Sequence, residues 1–252
     1  MERRLGLIGE PVAHSASPGL WRRLFEQWAL AGRYAYQAHQ VPPDGLEAFV
    51  SSVRRSPEWW GFNVTIPHKR RIIDFLDALT PAAAAVGAVN TVKKVGGRLI
   101  GHNTDAVGFE RSLDGWWPRL AGRRALLFGT GGAAAAVRWV LDRRGVAYHQ
   151  VSRWPTAEML GYETLSAERL AAYGWLINTT PCGMAGYGPL PLPADSLTAF
   201  HIITDLVYRP AVTPLIRAAL AVGAPAMNGH AMLRAQAMET ARFWGILPAS
   251  NE

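Results

Sequence analysis

The chain holds a single cysteine, Cys182, among its 252 residues. One thiol excludes a disulfide framework and a cysteine-based zinc site, and it suits a reducing compartment. Long apolar runs are also missing, because no stretch approaches the roughly 20 apolar residues of a membrane span. The opening MERRLGLIGE has only a short apolar run, cut by Gly6 and closed by Glu10 and Pro11, so a signal peptide is not expected. Charged residues make up only 18% of the chain against 49% hydrophobic ones, a balance that excludes a disordered or fibrous protein. Acids are fewer than bases, 19 against 26, for a net charge of +7. The bases come as pairs spread along the chain (Arg3-Arg4, Arg22-Arg23, Arg54-Arg55, Arg70-Arg71, Arg123-Arg124, Arg143-Arg144) rather than clustered. Neither a nucleic-acid nor a membrane partner is therefore expected. A solvated arginine-rich surface accounts for the charge, and the functional alternative is attraction of anionic small molecules. The expected location is the cytoplasm.

What is present is alternation. Short apolar runs follow amphipathic stretches of roughly 10–15 residues, the pattern of a parallel α/β sheet. Leu5–Gly9 reads as a first strand, Pro18 opens a helix to about Gly32, and Tyr34–Val41 is a second strand. Gly45–Arg55 reads as a helix, Gly61–Val64 as a buried strand, and Pro67–Leu76 as a helix with proline at its first position. Ala88–Val95 and Arg98–Asn103 flank Gly96-Gly97 as a hairpin. After Asp105 the alternation restarts, with a helix to about Trp117 and a polar break at Pro118–Arg123. Strands at Ala125–Phe128, Tyr148–Ser152, Trp175–Asn178, Ile202–Leu206 and Pro225–Met227 follow, with helices at Gly132–Arg144, from Thr213, and at His230–Trp244. The expectation is an α/β protein of two domains. Residues 1–104, with 231–252 returning to them, form a domain with a mostly parallel sheet. Residues 105–230 form a Rossmann-like domain, with a hinge near Asn103–Asp105 and a cleft between the two.

The clearest local motif is Leu126-Leu127-Phe128-Gly129-Thr130-Gly131-Gly132-Ala133-Ala134. A hydrophobic strand runs into Gly-x-Gly-x-x-Ala and then into a helix. Gly129 permits the tight turn, Gly131 lets the backbone approach a pyrophosphate, and Ala134 keeps helix and sheet close. At the end of the next strand, where an acid would hold a ribose 2′-hydroxyl, the chain has Arg153, which accommodates a 2′-phosphate and favours NADP. Its neighbour Trp154 can stack on the adenine, cover Arg153, or be a partly buried surface aromatic.

Four polar clusters stand out in the first half. In His14-Ser15-Ala16-Ser17-Pro18, Ser17 reads as a helix N-cap, which does not account for Ser15; a ligand at the end of strand one is one reading of it. In Gly61–Lys69, Asn63 and Thr65 alternate with apolar residues. Lys69 falls in the first turn of the expected helix, where a cation opposes the dipole by about 0.3–1 kcal/mol. Asn90 sits inside an apolar strand and must find partners. Thr104 or Asp105 reads as the cap of the following helix. His14, His68 and His102 lack metal-ligand spacing, so no metal is expected.

Together these motifs resemble the shikimate dehydrogenase family from about Leu5 to Pro248. GEPVAHSASP is similar to its Ser-x-Ser-Pro turn and GFNVTIPHK to its Asn-Val-Thr-x-Pro-x-Lys signature. GAVNTV and GHNTD resemble its two later motifs, FGTGGAA its NADP glycine loop, and NTTPCGM its Asn-x-Thr-Ser-x-Gly-Met segment. DLVYRPAVTPLI and NGHAMLRAQAMETARFWG resemble its last two blocks. The resemblance implies that Lys69 and Asp105 are the catalytic pair. It implies that Ser15, Ser17, Asn63, Thr65, Asn90, Tyr208 and Gln236 bind shikimate. Gly129, Thr130, Gly131, Gly132, Ala133, Ser152, Arg153, Leu206 and Gly229 fall on NADP positions. The implied activity is NADPH-dependent reduction of 3-dehydroshikimate to shikimate by a monomer or homodimer. Two alternatives stand beside it: an NAD-preferring quinate/shikimate dehydrogenase, and a non-catalytic ligand sensor. Several residues depart from the family pattern. Trp154 follows Arg153 in place of threonine, Ala157 replaces a further arginine, and Ala106, Pro81 and Pro181 replace a glycine, an acid and a serine. The usual final helix is expected to be absent or very short.

Overall fold

The computed structural model describes residues 2–13, 15–193 and 195–247; Met1, His14, Ala194 and residues 248–252 of the closing segment lie outside them. The chain divides into two compact units, Met1–Val107 with Gln236–Glu252, and Gly108–Ala235.

The first part of the chain runs β1 (Arg3–Gly9), α1 (Ser17–Gln27), β2 (Tyr34–Gln40), α2 (Leu46–Arg55), β3 (Trp59–Val64), β4 (Ala78–Leu79), α3 (Pro81–Val86), β5 (Thr91–Val95), β6 (Arg98–His102) and α4 (Asp105–Ser112). Six strands form one sheet in the order β2-β1-β3-β5-β6-β4. β5 runs antiparallel to both its neighbours, β3 and β6, while the other pairs are parallel. Strand β1 is paired on both sides and buried from Leu5 to Gly9, which is why it reads as a continuous apolar run rather than an alternating one. The β5–β6 hairpin closes on Gly96 and Gly97 at φ +55° and +80°, the mirror-image turn that matches strand twist. Helix α2 buries Leu46, Val50 and Val53 at helical spacing against Phe62, Val92 and Leu99 on one face of the sheet. Trp21 and Phe25 of α1 pack with Leu5 on the other.

The second part comprises α5 (Trp117–Leu120), β7 (Ala125–Phe128), α6 (Gly132–Arg143), β8 (Tyr148–Ser152), β9 (Leu160–Gly161), α7 (Ala167–Ala171), β10 (Trp175–Asn178), β11 (Ile202–Asp205), α8 (Pro214–Ala221), β12 (Ala226–Met227) and α9 (His230–Trp244). All strand pairs of its sheet are parallel, in the order β12-β11-β10-β7-β8-β9. Counted from β7, this is the 3-2-1-4-5-6 arrangement of a doubly wound nucleotide-binding sheet, whose order reverses between β7 and β10. The C-terminal half of α9 packs on the first unit. Its Ala237, Ala241 and Trp244 are fully buried with Leu5 and Trp21, and Trp244 Nε1 donates to the Val92 carbonyl at 3.0 Å. No helix of the described residues is long and apolar enough to cross a membrane.

The helix from Asp105 ends at Ser112 rather than near Trp117, and a short α5 begins at Trp117 and enters the expected polar break. Three further local expectations are corrected. First, the helix from Pro18 ends at Gln27 rather than near Gly32, with Ala29 in the left-handed region at φ +54°. Second, Pro67–Leu76 is not an α-helix but a run of turns followed by a 3₁₀ segment at Arg71–Phe75. An α-helix needs the Lys69 carbonyl for the Ile73 N–H. That carbonyl accepts from Val89 N at 2.7 Å instead, and Ile73 N turns to Arg70 O at 3.2 Å. Lys69 therefore does not stand against a helix dipole. Third, Ser17 does not cap α1. The helix begins at Ser17 itself, and it is Ser15 Oγ that accepts the Ser17 N–H, at 3.2 Å. The short elements β4, α3, β9 and α7 are too brief to show periodicity in the sequence.

This reversal of the two serines is testable. Ser15→Ala is expected to lower the melting temperature, at a cost of about 0.5–1.5 kcal/mol for the lost hydrogen bond. Ser17→Ala should melt like the parent protein, and a larger loss at Ser17 than at Ser15 in a thermal scan contradicts the assignment.

Candidate active site

Lys69 and Asp105 meet. Lys69 Nζ donates to Asp105 Oδ2 at 2.6 Å, with side-chain exposures of 16% and 8%. Each arrives by a different route. The turn after β3 carries Lys69, fixed by the Lys69 O–Val89 N bond, and Asp105 opens α4. The side chain that takes a free N–H of that helix is Asn103, whose Oδ1 accepts from Ala106 N at 3.1 Å. The capping role expected of Thr104 or Asp105 thus belongs to Asn103, and both of the others are released for different work.

Asn90 organises them. Its amide is buried, donates to Thr104 Oγ1 and to Asp105 Oδ1 at 2.9 Å each, and accepts the Thr104 N–H at 2.7 Å. Thr104 Oγ1 is 3.2 Å from Thr240 Oγ1, which is 3.1 Å from Thr91 Oγ1. Thr91 accepts from Asn63 Nδ2 at 2.9 Å, and Asn63 Oδ1 accepts from the Tyr36 hydroxyl at 2.8 Å. Gln236 Oε1 joins through Thr104 at 3.4 Å. A continuous hydrogen-bonded chain therefore runs from Tyr36 to Lys69 through β2, β3, β5, α9 and α4.

The network sorts the expected residues of this unit. Asn63, Asn90 and Asp105 are buried and already hydrogen-bonded within it. Ser17, Thr65 and Lys69 are half-buried with capacity to spare. Among the described residues neither hydroxyl has a partner, and the Lys69 ammonium has only Asp105. Tyr36, Thr91, Thr104 and Thr240 were not singled out as site residues from the sequence. For Thr240 a signal existed, since it lies one turn after Gln236 on the same face of α9. His68 and His102 are tied inward, His68 Nε2 to Val41 O at 2.7 Å and His102 Nδ1 to Thr80 Oγ1 at 2.8 Å. Burial lowers the His102 pKa, with Glu239 opposing.

The second unit gathers the residues expected at the nucleotide. Gly129 sits at φ +110°, and a Cβ there would meet Thr179 Oγ1 at 2.6 Å. Thr179 and Thr180 follow β10, so the glycine turn and the Asn178–Thr180 segment flank the point where strand order reverses. Gly131 caps α6 with no side chain bonded to the free N–H groups, and a Cβ on it would meet nothing within 4 Å. Exposed Thr130 and Gly131 and half-buried Gly132 and Ala133 thus form an open cradle of backbone donors, suited to a pyrophosphate. Ser152 is buried, while Arg153 is exposed with no carboxylate paired to it among the described residues. Burial pushes the Tyr162 phenol up to about 12, with Cys182 adding to the rise and the Arg153 cation opposing it. Leu206 and Gly229 touch: a Cβ on Gly229 would overlap the Leu206 carbonyl, so only glycine fits. The Asp205 carboxyl is raised by burial, against hydrogen bonds from Thr213, Val207 N–H and Asn178. Tyr208 also belongs to this unit, half-buried with its ring 6.0 Å from that of His230. The cradle, the unpaired cation and the glycine contact all fit a 2′-phosphorylated dinucleotide.

Strand order and glycine turn define the class, a two-unit α/β protein of the dinucleotide-binding kind. Comparison with known proteins narrows it. The model of the shikimate dehydrogenase substrate binding domain matches residues 7–92. The NADP(+) shikimate dehydrogenase of Symbiobacterium thermophilum is 40% identical over 265 residues, covering 96% of this chain and 88% of the relative. The structure of shikimate dehydrogenase from Aquifex aeolicus matches with a TM-score of 0.87 at 30% identity, covering 99% of this chain and 95% of that one. Shikimate 5-dehydrogenase from Thermus thermophilus, solved in complex with NADP(H) and shikimate, matches with a TM-score of 0.83 at 33% identity over 99% and 96% of the two chains. The chain belongs to the shikimate dehydrogenase family.

The Gly129 geometry yields a direct test. Gly129→Ala is expected to destabilise the protein by about 1–3 kcal/mol, because the left-handed backbone and the Thr179 contact both oppose a side chain. Denaturant unfolding reads this, and an unaltered midpoint would refute the strained turn.

Proposed function

We propose that the protein catalyses the reversible NADPH-dependent reduction of 3-dehydroshikimate to shikimate, a step of chorismate and aromatic amino-acid biosynthesis. The observation that carries the reading is the Lys69–Asp105 pair, a half-buried lysine on a buried carboxylate, braced by Asn90 and still holding unbonded ammonium protons. NADPH, when bound, supplies the hydride that goes to the C3 carbonyl carbon. Negative charge then grows on the C3 oxygen, and the Lys69 ammonium is the donor available to stabilise it and to deliver the proton that completes the hydroxyl. Asp105 already accepts at both oxygens, from Lys69 and Asn90, so its part is to orient Lys69 and to compensate its charge. Ser17 and Thr65, with unbonded hydroxyls, are the first candidates for the substrate's carboxylate and hydroxyls. Ser15, Asn63, Asn90, Tyr208 and Gln236 complete the proposed binding set. Gly129–Ala133 with the α6 N-terminus would hold the pyrophosphate, Ser152 and Arg153 the 2′-phosphate, and Leu206 and Gly229 the nicotinamide end. We infer a cytoplasmic location, which the lone half-buried Cys182 suits.

Reduced-nicotinamide absorbance with shikimate or quinate, each with NADP or NAD, tests the reading. Turnover of shikimate with NADP is expected. Turnover only with NAD, or with quinate alone, points to the quinate/shikimate enzyme, and no turnover points to a sensor. Lys69→Ala should lower kcat by roughly 10²–10⁴ with little change in KM, as removal of a proton donor acting in the transition state does. Asp105→Asn should act similarly, and the double variant should lose far less than the product of the two effects. Near-parent kcat in a folded Lys69→Ala protein rejects the role.

Arg153 makes a separate claim. A charge-assisted contact to phosphate is worth about 1.5–3 kcal/mol, or roughly ten- to a hundredfold. Arg153→Ala should raise the KM for NADP at least about tenfold, while the KM for NAD and for shikimate stay put. Equal effects on both nucleotides exclude a phosphate contact.

A further inference from the structure

Just past β8 the chain leaves a large aromatic side chain in water. Trp154 is 84% exposed, the most exposed of the large hydrophobic side chains among the described residues. Tryptophan normally covers roughly 150–250 Å² of apolar surface by packing, so an indole left open is costly unless something comes to cover it. No guanidinium or ring of the described residues does so. The cations that lie over indoles choose Trp60, Trp59, Trp116, Trp139 and Trp117, and Arg153 does not lie over Trp154. Two of the roles open to Trp154 from the sequence, a cover for Arg153 and a partly buried surface aromatic, are therefore removed.

Its backbone, by contrast, is held. The Trp154 N–H donates to Ser152 Oγ at 3.0 Å, and Ser152 is itself buried. One residue earlier, the Val151 carbonyl accepts the Gly129 N–H at 3.0 Å, so the Ser152–Trp154 segment leaves the sheet directly beside the glycine turn. In a doubly wound sheet the end of this second strand is where the adenosine ribose lies. A free guanidinium and a free indole thus stand at consecutive positions where a 2′-phosphate and a purine are expected. Arg153 is the only basic residue between β8 and Glu168, so the segment that leaves the sheet here carries one cation.

We propose that Trp154 is the platform on which the adenine of NADP stacks, so that this chain takes part of its nucleotide affinity from the base. The inference rests on the NADP reading above. A base face is common to NADP and NAD, whereas the 2′-phosphate is not. Trp154 therefore raises affinity for both without separating them, and discrimination is left to the groups proposed for the phosphate, Arg153 first among them.

Titration calorimetry of the full chain with 2′,5′-ADP, 5′-AMP and NADP tests this without turnover. Trp154→Ala removes an exposed side chain and leaves the fold in place. It should weaken 2′,5′-ADP and 5′-AMP by the same factor, about tenfold, a loss within the range of a base stacked on an aromatic ring. Trp154→Phe should keep most of the affinity, and Arg153→Ala should weaken 2′,5′-ADP while sparing 5′-AMP. Unchanged affinities in Trp154→Ala, or a loss confined to 2′,5′-ADP, overturn the stacking role and leave the NADP reading intact. A change of sedimentation in Trp154→Ala at unchanged nucleotide affinity overturns it in favour of a contact between copies. If the unmodified protein binds neither 2′,5′-ADP nor NADP, both readings fall.

Discussion

The buried amide of Asn90 is the constraint on which the first unit's chemistry depends. An amide has two donor hydrogens and a carbonyl oxygen, and leaving one unbonded in a dry interior costs about 1–3 kcal/mol. Here each finds a partner that also needs one: Thr104 on both its hydroxyl and its N–H, and the Asp105 carboxylate. The Asn90 backbone binds the sheet as well, its carbonyl accepting from Val64 N at 2.8 Å and its N–H donating to His102 O at 3.2 Å. One residue therefore sets the relation between β3, β6 and the start of α4, and with it the place of Asp105 and Lys69. Such networks are strong when complete and costly when broken, because low polarity strengthens every bond and every vacancy alike.

A division of labour follows. The buried polar groups hold the geometry, and the half-buried ones at the edge of the network keep hydrogen-bonding capacity for a ligand. Lys69 shows why the distinction matters. An ammonium bonded to one carboxylate keeps donors for a substrate oxygen, while the carboxylate beside it, bonded at both oxygens, is a fixed reference. In the second unit the same logic is carried by backbone. Gly131 and the start of α6 present N–H groups that no side chain occupies, and the neighbouring strand end leaves Arg153 and Trp154 exposed.

Much of the architecture was legible in the residues. The strands Tyr148–Ser152 and Trp175–Asn178 and the helix His230–Trp244 could be bounded to the residue, because apolar runs, glycines and prolines punctuate them. The Gly96-Gly97 hairpin and the strand–glycine turn–helix unit were equally plain, since both need a backbone that only glycine adopts readily. The failures share a cause. Pro67 to Leu76 has helical spacing, but the Lys69 carbonyl is taken by Val89, far along the chain, and the helix cannot close. Ser17 before proline has the chemistry of a cap, yet the turn at Ser15 starts the helix one residue too early for it. Asn103 caps α4 in place of its two neighbours for the same kind of reason.

The sequence by itself determined the order of the main strands, the α/β class and the glycine cradle, because these rest on periodicity and on backbone rules that act within a few residues; Lys69 and Asp105 stood out together only through the resemblance of their motifs to the family. Only the tertiary structure decided which of the polar residues are already bonded and which remain open. Hydrogen-bond partners such as Asn63 and Thr240 lie 177 residues apart, and no local rule reaches that far. It also decided that Lys69 is held by a carboxylate rather than set against a helix dipole, and that Trp154 stands in water instead of covering Arg153. Both outcomes depend on which backbone groups other segments had already taken, and that competition is settled only when the chain has folded.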